Sequence, residues 1–213
     1  MSTERIPIDS FREMNQGQIA QLIKTIEKMA RNNEIKYWGC SQATLGALQR
    51  YLKIGDGGAF RAATAFAGGI ASNREACGAV VGGVMAIGLV YGRARYEIGK
   101  IGIEQVDLLE CAARAGKFCD RFRAKFGGLK CSEVRAAIGF DAEARVAQLT
   151  PEILREHSKC GDVAGTAAAF AAEIILEPAE VYNAQVVAML DMMKQLRRQM
   201  AEESRVIPKY RGK

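Results

Sequence analysis

A charge-free run, residues 76–92, is the sequence feature that most constrains the fold. A helix that is apolar on all sides has no face for solvent, so this run predicts a buried central helix from Cys77 to Gly92. Glycine weakens a helix by about 1 kcal/mol relative to alanine, so repeated glycines need a reason. Gly78 and Gly82 lie four residues apart, and such a flat stripe lets another backbone or a cofactor come close.

Cys77 stands where this run begins. The free N–H groups and the positive dipole end of a helix N-terminus favour a thiolate, so we expect Cys77 to be activatable. The alternative is a buried, inert cysteine that starts a core helix.

The rest of the chain predicts further helices, because proline is scarce and no strand-type alternation persists. The fold class is therefore all-α: a compact helical bundle around the buried glycine-rich helix. We expect Asn32-Asn33 to end the first long helix. We expect Cys160-Gly161 to interrupt the chain before an alanine-rich helix that ends at Leu176, and Pro178 to begin the last helix.

The region 101–126 predicts another long helix with apolar residues on one face. That face carries Leu108, Cys111, Ala112, Ala115, Cys119, Phe122 and Phe126. Cys111 and Cys119 are therefore expected to be core residues.

The last helix has a heptad pattern, with apolar residues at alternating steps of four and three. Its members are Tyr182, Val186, Met189, Met193, Leu196 and Met200. This seam packs either on its own chain or on a second copy, and the methionines suit an adaptable surface. We predict a homodimer.

Composition and charge narrow the class of protein. The net charge of +6 comes from basic residues scattered along helices, without an aromatic-studded basic run, so we expect no nucleic-acid partner. The glycine-rich run lacks the flanking belts of a membrane span. The polar N-terminus is not a secretory signal, which predicts a cytoplasmic protein, where structural disulfides are rare.

Four of the six cysteines share a context, because each stands at or beside a predicted helix start. These are Cys40, Cys77, Cys131 and Cys160. No Cys-x-x-Cys is present, so the spacing alone indicates neither a zinc knuckle nor a thioredoxin-type dithiol. His157 lies three residues before Cys160 and is a further candidate ligand.

At these residues the chain resembles the redox-active protein family named for its C_GCAxxG_C_C cysteine pattern. The matching pieces are Cys40-Ser41-Gln42-Ala43, Cys77-Gly78-Ala79-Val80-Val81-Gly82, Tyr91-Gly92-Arg93, Phe126-Gly127-Gly128-Leu129-Lys130-Cys131 and Lys159-Cys160. We expect a single domain over 1–213 with a family-like core at about 37–176. The extensions 1–36 and 177–213, an added N-terminal helix and the C-terminal heptad helix, inherit no role.

The resemblance implies a helical, redox-linked protein, in enzymatic terms a component of an oxidoreductase, that works with an unidentified redox partner protein. A related domain in a cytochrome is associated with an iron–sulfur centre. The functional residues it implies are Cys40, Cys77, Cys131 and Cys160.

Three hypotheses follow for these four cysteines. The first is an iron–sulfur cluster, [2Fe–2S] or [4Fe–4S], ligated by all four thiolates, with Gly78 and Gly82 leaving room for its sulfides. The second is thiol–disulfide exchange with Cys77 as the attacking thiolate. The third is non-catalytic: a zinc site or four buried thiols in a helical interaction module.

Overall fold

The computed structural model describes residues 8–93, 103–140, 151–189, 191, 192 and 195. Its helices, with a 3-10 turn at Ala63–Phe66, are α1 (Asp9–Arg12), α2 (Gln16–Tyr37), α3 (Cys40–Leu52), α4 (Gly57–Ala62), α5 (Gly78–Tyr91), α6 (Ile103–Phe126), α7 (Cys131–Ala137), α8 (Pro151–Leu176) and α9 (180–189). Within these ranges the only β-type pairing is an isolated bridge between Ala76 and Lys130. The predicted all-α fold is confirmed.

Helix α5 is the centre of the bundle and packs on α3, α6 and α8. Its predicted bounds are confirmed to within one residue at each end. The glycines on α5 allow close approach of its neighbours. A methyl group on Gly82 would collide with the backbone oxygen of Ser41 in α3, and one on Gly83 would lie 2.5 Å from the ring of Phe118 in α6.

Helix α2 runs on through Asn32 and Asn33 to Tyr37, so the predicted end of this helix is wrong. Asparagine is a weak helix former, and here the packing of α2 against α8 overrides that preference. A side-chain stripe at steps of four, formed by Ile26, Ala30 and Glu34, is buried along α2.

Helix α8 is also continuous, and the predicted interruption at Cys160-Gly161 is wrong. Gly161 serves a different purpose, because a methyl group there would lie 2.7 Å from Cγ1 of Ile35 in α2. Gly165, one turn later, approaches the backbone oxygen of Glu27 in the same way. These glycines therefore let two helices touch, which is a role that their sequence neighbours do not reveal.

The first part of the heptad seam packs on its own chain. Tyr182 and Val186 are buried with Leu109 of α6, and Met189 packs against this group. The remaining seam positions, Met193, Leu196 and Met200, lie outside the described residues. The homodimer stays a prediction.

The buried face of α6 differs from the predicted one. Phe118, Phe122 and Phe126 line the core, whereas Leu108 is 38% exposed, and Cys111 and Cys119 are only half-buried. The true stripe also contains a charged residue, Arg114, which is fully buried. Across the described ranges, none of the helices has the length and hydropathy that a membrane crossing requires.

Candidate functional site

Three of the four predicted site cysteines stand at the N-terminus of a helix. Cys40 is the first residue of α3, Cys77 is the N-cap of α5, and Cys131 is the first residue of α7. Cys160 does not fit the predicted pattern, because it lies in the interior of the continuous helix α8. A predicted helix start was therefore right for three of the four positions.

The fold brings these four thiols, here called the cysteine centre, within electrostatic reach of one another. Cys40 and Cys131 each raise the pKa of Cys77 and of Cys160, and Cys131 also raises the pKa of Cys40. Cys111 and Cys119 are not among the charges that act on the four. Cys77 and Cys160 are thus each coupled to Cys40 and to Cys131, and the role of the four as ligands stays a prediction.

Backbone groups near two of the sulfurs lower the pKa of those thiols. Gly68 and Ser41 act in this way on Cys40, and Ala79 and Val80 on Cys77. The Cys77 side chain makes no capping hydrogen bond at the start of α5. These backbone groups stabilise negative charge on sulfur, as the helix N-termini predict.

Burial nevertheless outweighs the effect of these backbone groups. Desolvation raises the pKa of Cys40 to about 12 and holds those of Cys77 and Cys160 well above the ordinary thiol value. Cys77 is 5% exposed, so the expectation of an activated thiolate at this helix start does not hold for the free thiol. Each thiol at the centre remains protonated at neutral pH unless a cation takes the place of its proton.

Tight backbone packing holds the N-termini of α5 and α7 side by side. The Cys77 N–H donates to the Leu129 carbonyl at 2.8 Å, and the Cys131 N–H donates to the Glu75 carbonyl at 2.6 Å. A methyl group on Gly78 would collide with Cys40 Sγ, so this glycine is what lets the Cys40 sulfur approach α5. Gly82, in contrast, faces the backbone of α3, and its three nearest non-helix atoms include no sulfur.

The segments that precede Cys40 and Cys77 carry an unusual concentration of left-handed backbone. Among the described residues, six non-glycine residues have positive φ, and five of them lie in these two segments: Trp38, Ile70, Ala71, Ser72 and Arg74. Each such residue costs on the order of 1–2 kcal/mol. Strained backbone of this kind persists where the surrounding structure holds it in place, and functional sites are where it is commonly found.

Sequence reasoning missed one residue of this site, Glu34. Its side chain is 2% exposed, and its charge raises the pKa of Cys40, Cys131 and Cys160. The spacing of four from Ala30 placed Glu34 on the apolar stripe of α2, but the predicted helix end at Asn32-Asn33 hid that signal.

The donor set fits thiolate coordination chemically, because it consists of four cysteine thiols that influence one another electrostatically. Among the described residues, however, no group of three or more His, Cys, Asp or Glu side chains is arranged around the position of one metal ion. The side chain of His157 lies outside the described part of the chain, so its predicted ligand role stays a prediction.

A family model described as "Putative redox-active protein (C_GCAxxG_C_C)" matches residues 38–174. The chain belongs to this family. The match contains all four cysteines of the centre, which confirms the resemblance found in the sequence. It begins after Glu34 and ends before α9, so membership in the C_GCAxxG_C_C family assigns nothing to either. Searches of curated proteins and of solved structures find no match.

Proposed function

We propose that Cys40, Cys77, Cys131 and Cys160 ligate an iron–sulfur cluster, and that the protein serves electron transfer or a linked redox reaction. The observation that supports this proposal is the electrostatic coupling among four thiols that come from four different parts of the fold. When bound, such a cluster supplies one-electron redox chemistry with four thiolate ligands.

The surroundings of the sulfurs support ligation. A buried thiol loses its proton when a metal ion replaces that proton. The backbone groups that lower the pKa of Cys40 and Cys77 then stabilise the negative charge on sulfur. Ser41 lies in the first turn of α3, and Ala79 and Val80 lie in the first turn of α5, so the helices hold three of these four groups in place.

Among the described residues, no group of three or more His, Cys, Asp or Glu side chains could hold one metal ion, so a closed tetrahedral zinc site is not preformed there. In an iron–sulfur cluster each cysteine thiolate ligates one iron atom and inorganic sulfides bridge the irons, so the four sulfurs need not surround one point. A zinc site and a purely structural helical module remain outcomes of the test below.

Thiol–disulfide exchange is the second candidate, because membership in the C_GCAxxG_C_C family supports redox chemistry of any cysteine-based kind. The burial of Cys77 weighs against it. An attacking thiol needs a substantial thiolate fraction and access to its target, and Cys77 is 5% exposed with a raised pKa.

The test is anaerobic reconstitution of the full chain with iron and sulfide. We expect visible charge-transfer absorption and bound iron and sulfide in stoichiometric amounts. Cys40→Ser, Cys77→Ser, Cys131→Ser and Cys160→Ser should each lose most of the absorption. Cys111→Ser and Cys119→Ser are the matched controls, since they replace the same atom on the same fold and should keep it.

Three results would contradict the proposal. A colourless product whose four thiols form two disulfides on mild oxidation would favour exchange. Bound zinc that resists replacement by iron would favour a structural metal site. Four thiols that neither bind metal nor oxidise would favour an interaction module. The proposal also includes an unidentified redox partner protein, a homodimer and a cytoplasmic location.

A further inference from the structure

Residues 68–74, between the 3-10 turn and α5, wind in the left-handed sense, and we call this segment the strap. Six of its residues have φ between +50° and +76°: Gly68, Gly69, Ile70, Ala71, Ser72 and Arg74. L-residues adopt this conformation singly and seldom in succession, because Cβ lies too close to the following carbonyl oxygen. Four of the six carry such a Cβ, so the strap is a concentrated site of backbone strain.

The backbone of the strap lies directly against one site cysteine. A methyl group on Gly69 would lie 2.6 Å from Cβ of Cys131, so only a bare backbone fits there. The Cys131 N–H donates to the Glu75 carbonyl, next to the strap, at 2.6 Å, and the Ser132 N–H donates to the Arg74 carbonyl at 3.2 Å. Cys131 is only 7% exposed. The strap therefore contributes to the burial of this cysteine.

Few interactions hold the middle of the strap in place. Residues 70–73 are exposed, so their side chains contribute little apolar burial. Backbone hydrogen bonds hold them instead, such as the Ala71 N–H to the Ala65 carbonyl at 2.8 Å and the Arg74 N–H to the Gly68 carbonyl at 3.1 Å. Segments with exposed backbone hydrogen bonds and few buried apolar contacts open locally, at a lower free energy than the whole protein unfolds.

We propose that the strap controls access to the cysteine centre. It opens by breaking its own backbone hydrogen bonds while the helices stay packed, and a small molecule or ion from solvent then reaches Cys131. Strain in the closed strap keeps the free energy of this opening low. Iron and sulfide must enter the centre for a cluster to form, so the purpose of the opening rests on the proposed function, whereas the opening itself does not.

The experiment measures the rate at which iodoacetamide alkylates Cys131 in the metal-free full chain, by mass spectrometry, with Cys111 on α6 as the internal reference. Ala71→Gly removes strain from the closed strap, so Cys131 should react about two- to fivefold more slowly. Gly68→Ala adds strain, because its methyl group would lie 2.9 Å from Oγ of Ser72, so Cys131 should react faster. Neither change alters a charge, so the intrinsic reactivity of the thiol stays the same.

Lys53→Gly is the matched control. Lys53 also has a positive φ, +55°, but it caps the C-terminal end of α3 and is not part of the strap. Glycine there should relieve strain of the same kind and leave the reaction of Cys131 unchanged. If Lys53→Gly and Ala71→Gly both slow Cys131 in proportion to their gain in stability, this thiol reacts through global unfolding and the inference is overturned.

Urea gives an independent measurement on the wild type. Local opening exposes little surface, so the Cys131 rate should change little at low urea concentrations. A rate that rises with urea as steeply as global unfolding would overturn the inference. Equal rates for Ala71→Gly and the wild type would do so too, as would a folded-state rate equal to that of the unfolded chain. A wild type that binds no iron would defeat the proposed function alone and leave these rates as the test of the strap.

Discussion

Helix α5 joins two buried charged regions that differ in how their charge is satisfied. At its N-terminus lies the cysteine centre with Glu34, and at its C-terminus lies what we call the arginine cluster: Tyr91, Glu110, Arg114, Lys117, Glu177 and Tyr182. Arg114 is sandwiched between the rings of Tyr91 and Tyr182, at 3.9 and 4.1 Å from their centroids. The charge in the arginine cluster is matched by other fixed charges and dipoles, whereas the charge of Glu34 raises the pKa of Cys40, Cys131 and Cys160.

The arginine cluster binds the end of α8 and the start of α9 to α6. The Arg114 guanidinium donates to the carbonyls of Ile174 and Glu177, where a helix C-terminus favours a cation. Lys117 pairs with the Glu177 carboxylate at 2.7 Å, and Tyr182 donates its hydroxyl hydrogen to the same carboxylate. A saturated network of this kind rigidifies a fold.

The comparison teaches how to tell a structural charge from a functional one. Both sites bury a charged side chain, so burial alone does not distinguish them. What differs is the group that each charge acts on: Arg114 donates to carbonyls and a carboxylate, and Glu34 raises the pKa of thiols that lose protons or bind metal in the proposed chemistry. Changes at the arginine cluster should therefore alter stability, and changes near the cysteine centre should alter chemistry.

The largest expected effect is at Arg114. Arg114→Ala leaves Glu110 and two helix-end carbonyls without their buried partner, so we expect a loss of about 3–5 kcal/mol in the free energy of unfolding. Urea denaturation measures it. The control is Arg121→Ala, whose ion pair with Glu173 is one-third exposed on both sides and should contribute no more than about 1 kcal/mol.

Iron and sulfide uptake by the same variant tests whether its effect is confined to stability. Molecules of Arg114→Ala that remain folded should take up iron and sulfide as the wild type does, because the arginine cluster lies at the opposite end of α5. A loss below about 1 kcal/mol, or a selective loss of iron binding, would contradict the division between the two regions.

Most of the fold follows from local patterns in the sequence. The charge-free run predicts α5, and the turn residues that flank Cys131 predict α7, because both depend on neighbouring residues. Gly161 and Asn33 mislead for the opposite reason. Each lies inside a helix that is stabilised by the contact between α2 and α8. These helices are more than 100 residues apart in sequence, so local propensity cannot predict their contact.

The two buried charges escaped prediction for the same physical reason. Arg114 lies among alanines on α6, and Glu34 follows two asparagines on α2, so each has the local setting of a solvent-exposed side chain. Their burial depends on packing against distant segments, such as the Tyr182 ring for Arg114 and helix α8 for helix α2, which carries Glu34. The cysteine positions were found because a family pattern records them, whereas Glu34 lies outside that pattern.

An intermediate effect is expected on the side of α5 that faces the cysteine centre. Gly82→Ala places a methyl group against the Ser41 backbone oxygen, which α3 must move to accommodate, so we expect a loss of about 1–3 kcal/mol. Since Cys40 begins α3, the iron content after reconstitution should also fall. Urea denaturation and iron analysis measure the two effects.

Gly88→Ala makes the same chemical change two turns later in α5. A methyl group on Gly88 would meet no atom within 4 Å, so the gain in helix propensity should stabilise the protein by up to about 1 kcal/mol. If both variants lose stability equally, the glycines act through the helix backbone and not through the contact with α3.

The smallest expected effect tests the strained segment before Cys77. Ala71 is exposed and has φ of +50°, a conformation that costs an alanine on the order of 1 kcal/mol and a glycine almost nothing. Ala71→Gly should therefore raise the free energy of unfolding by about 0.5–1 kcal/mol. Ala112→Gly is the matched control, because Ala112 is exposed in the interior of α6, where glycine should cost about 1 kcal/mol. The same alanine-to-glycine change should therefore alter the free energy of unfolding in opposite directions at two exposed positions. That difference reports backbone strain and not the loss of the methyl group. A destabilised Ala71→Gly would mean that the left-handed turn is not strained. Backbone strain would then not distinguish the two ends of α5.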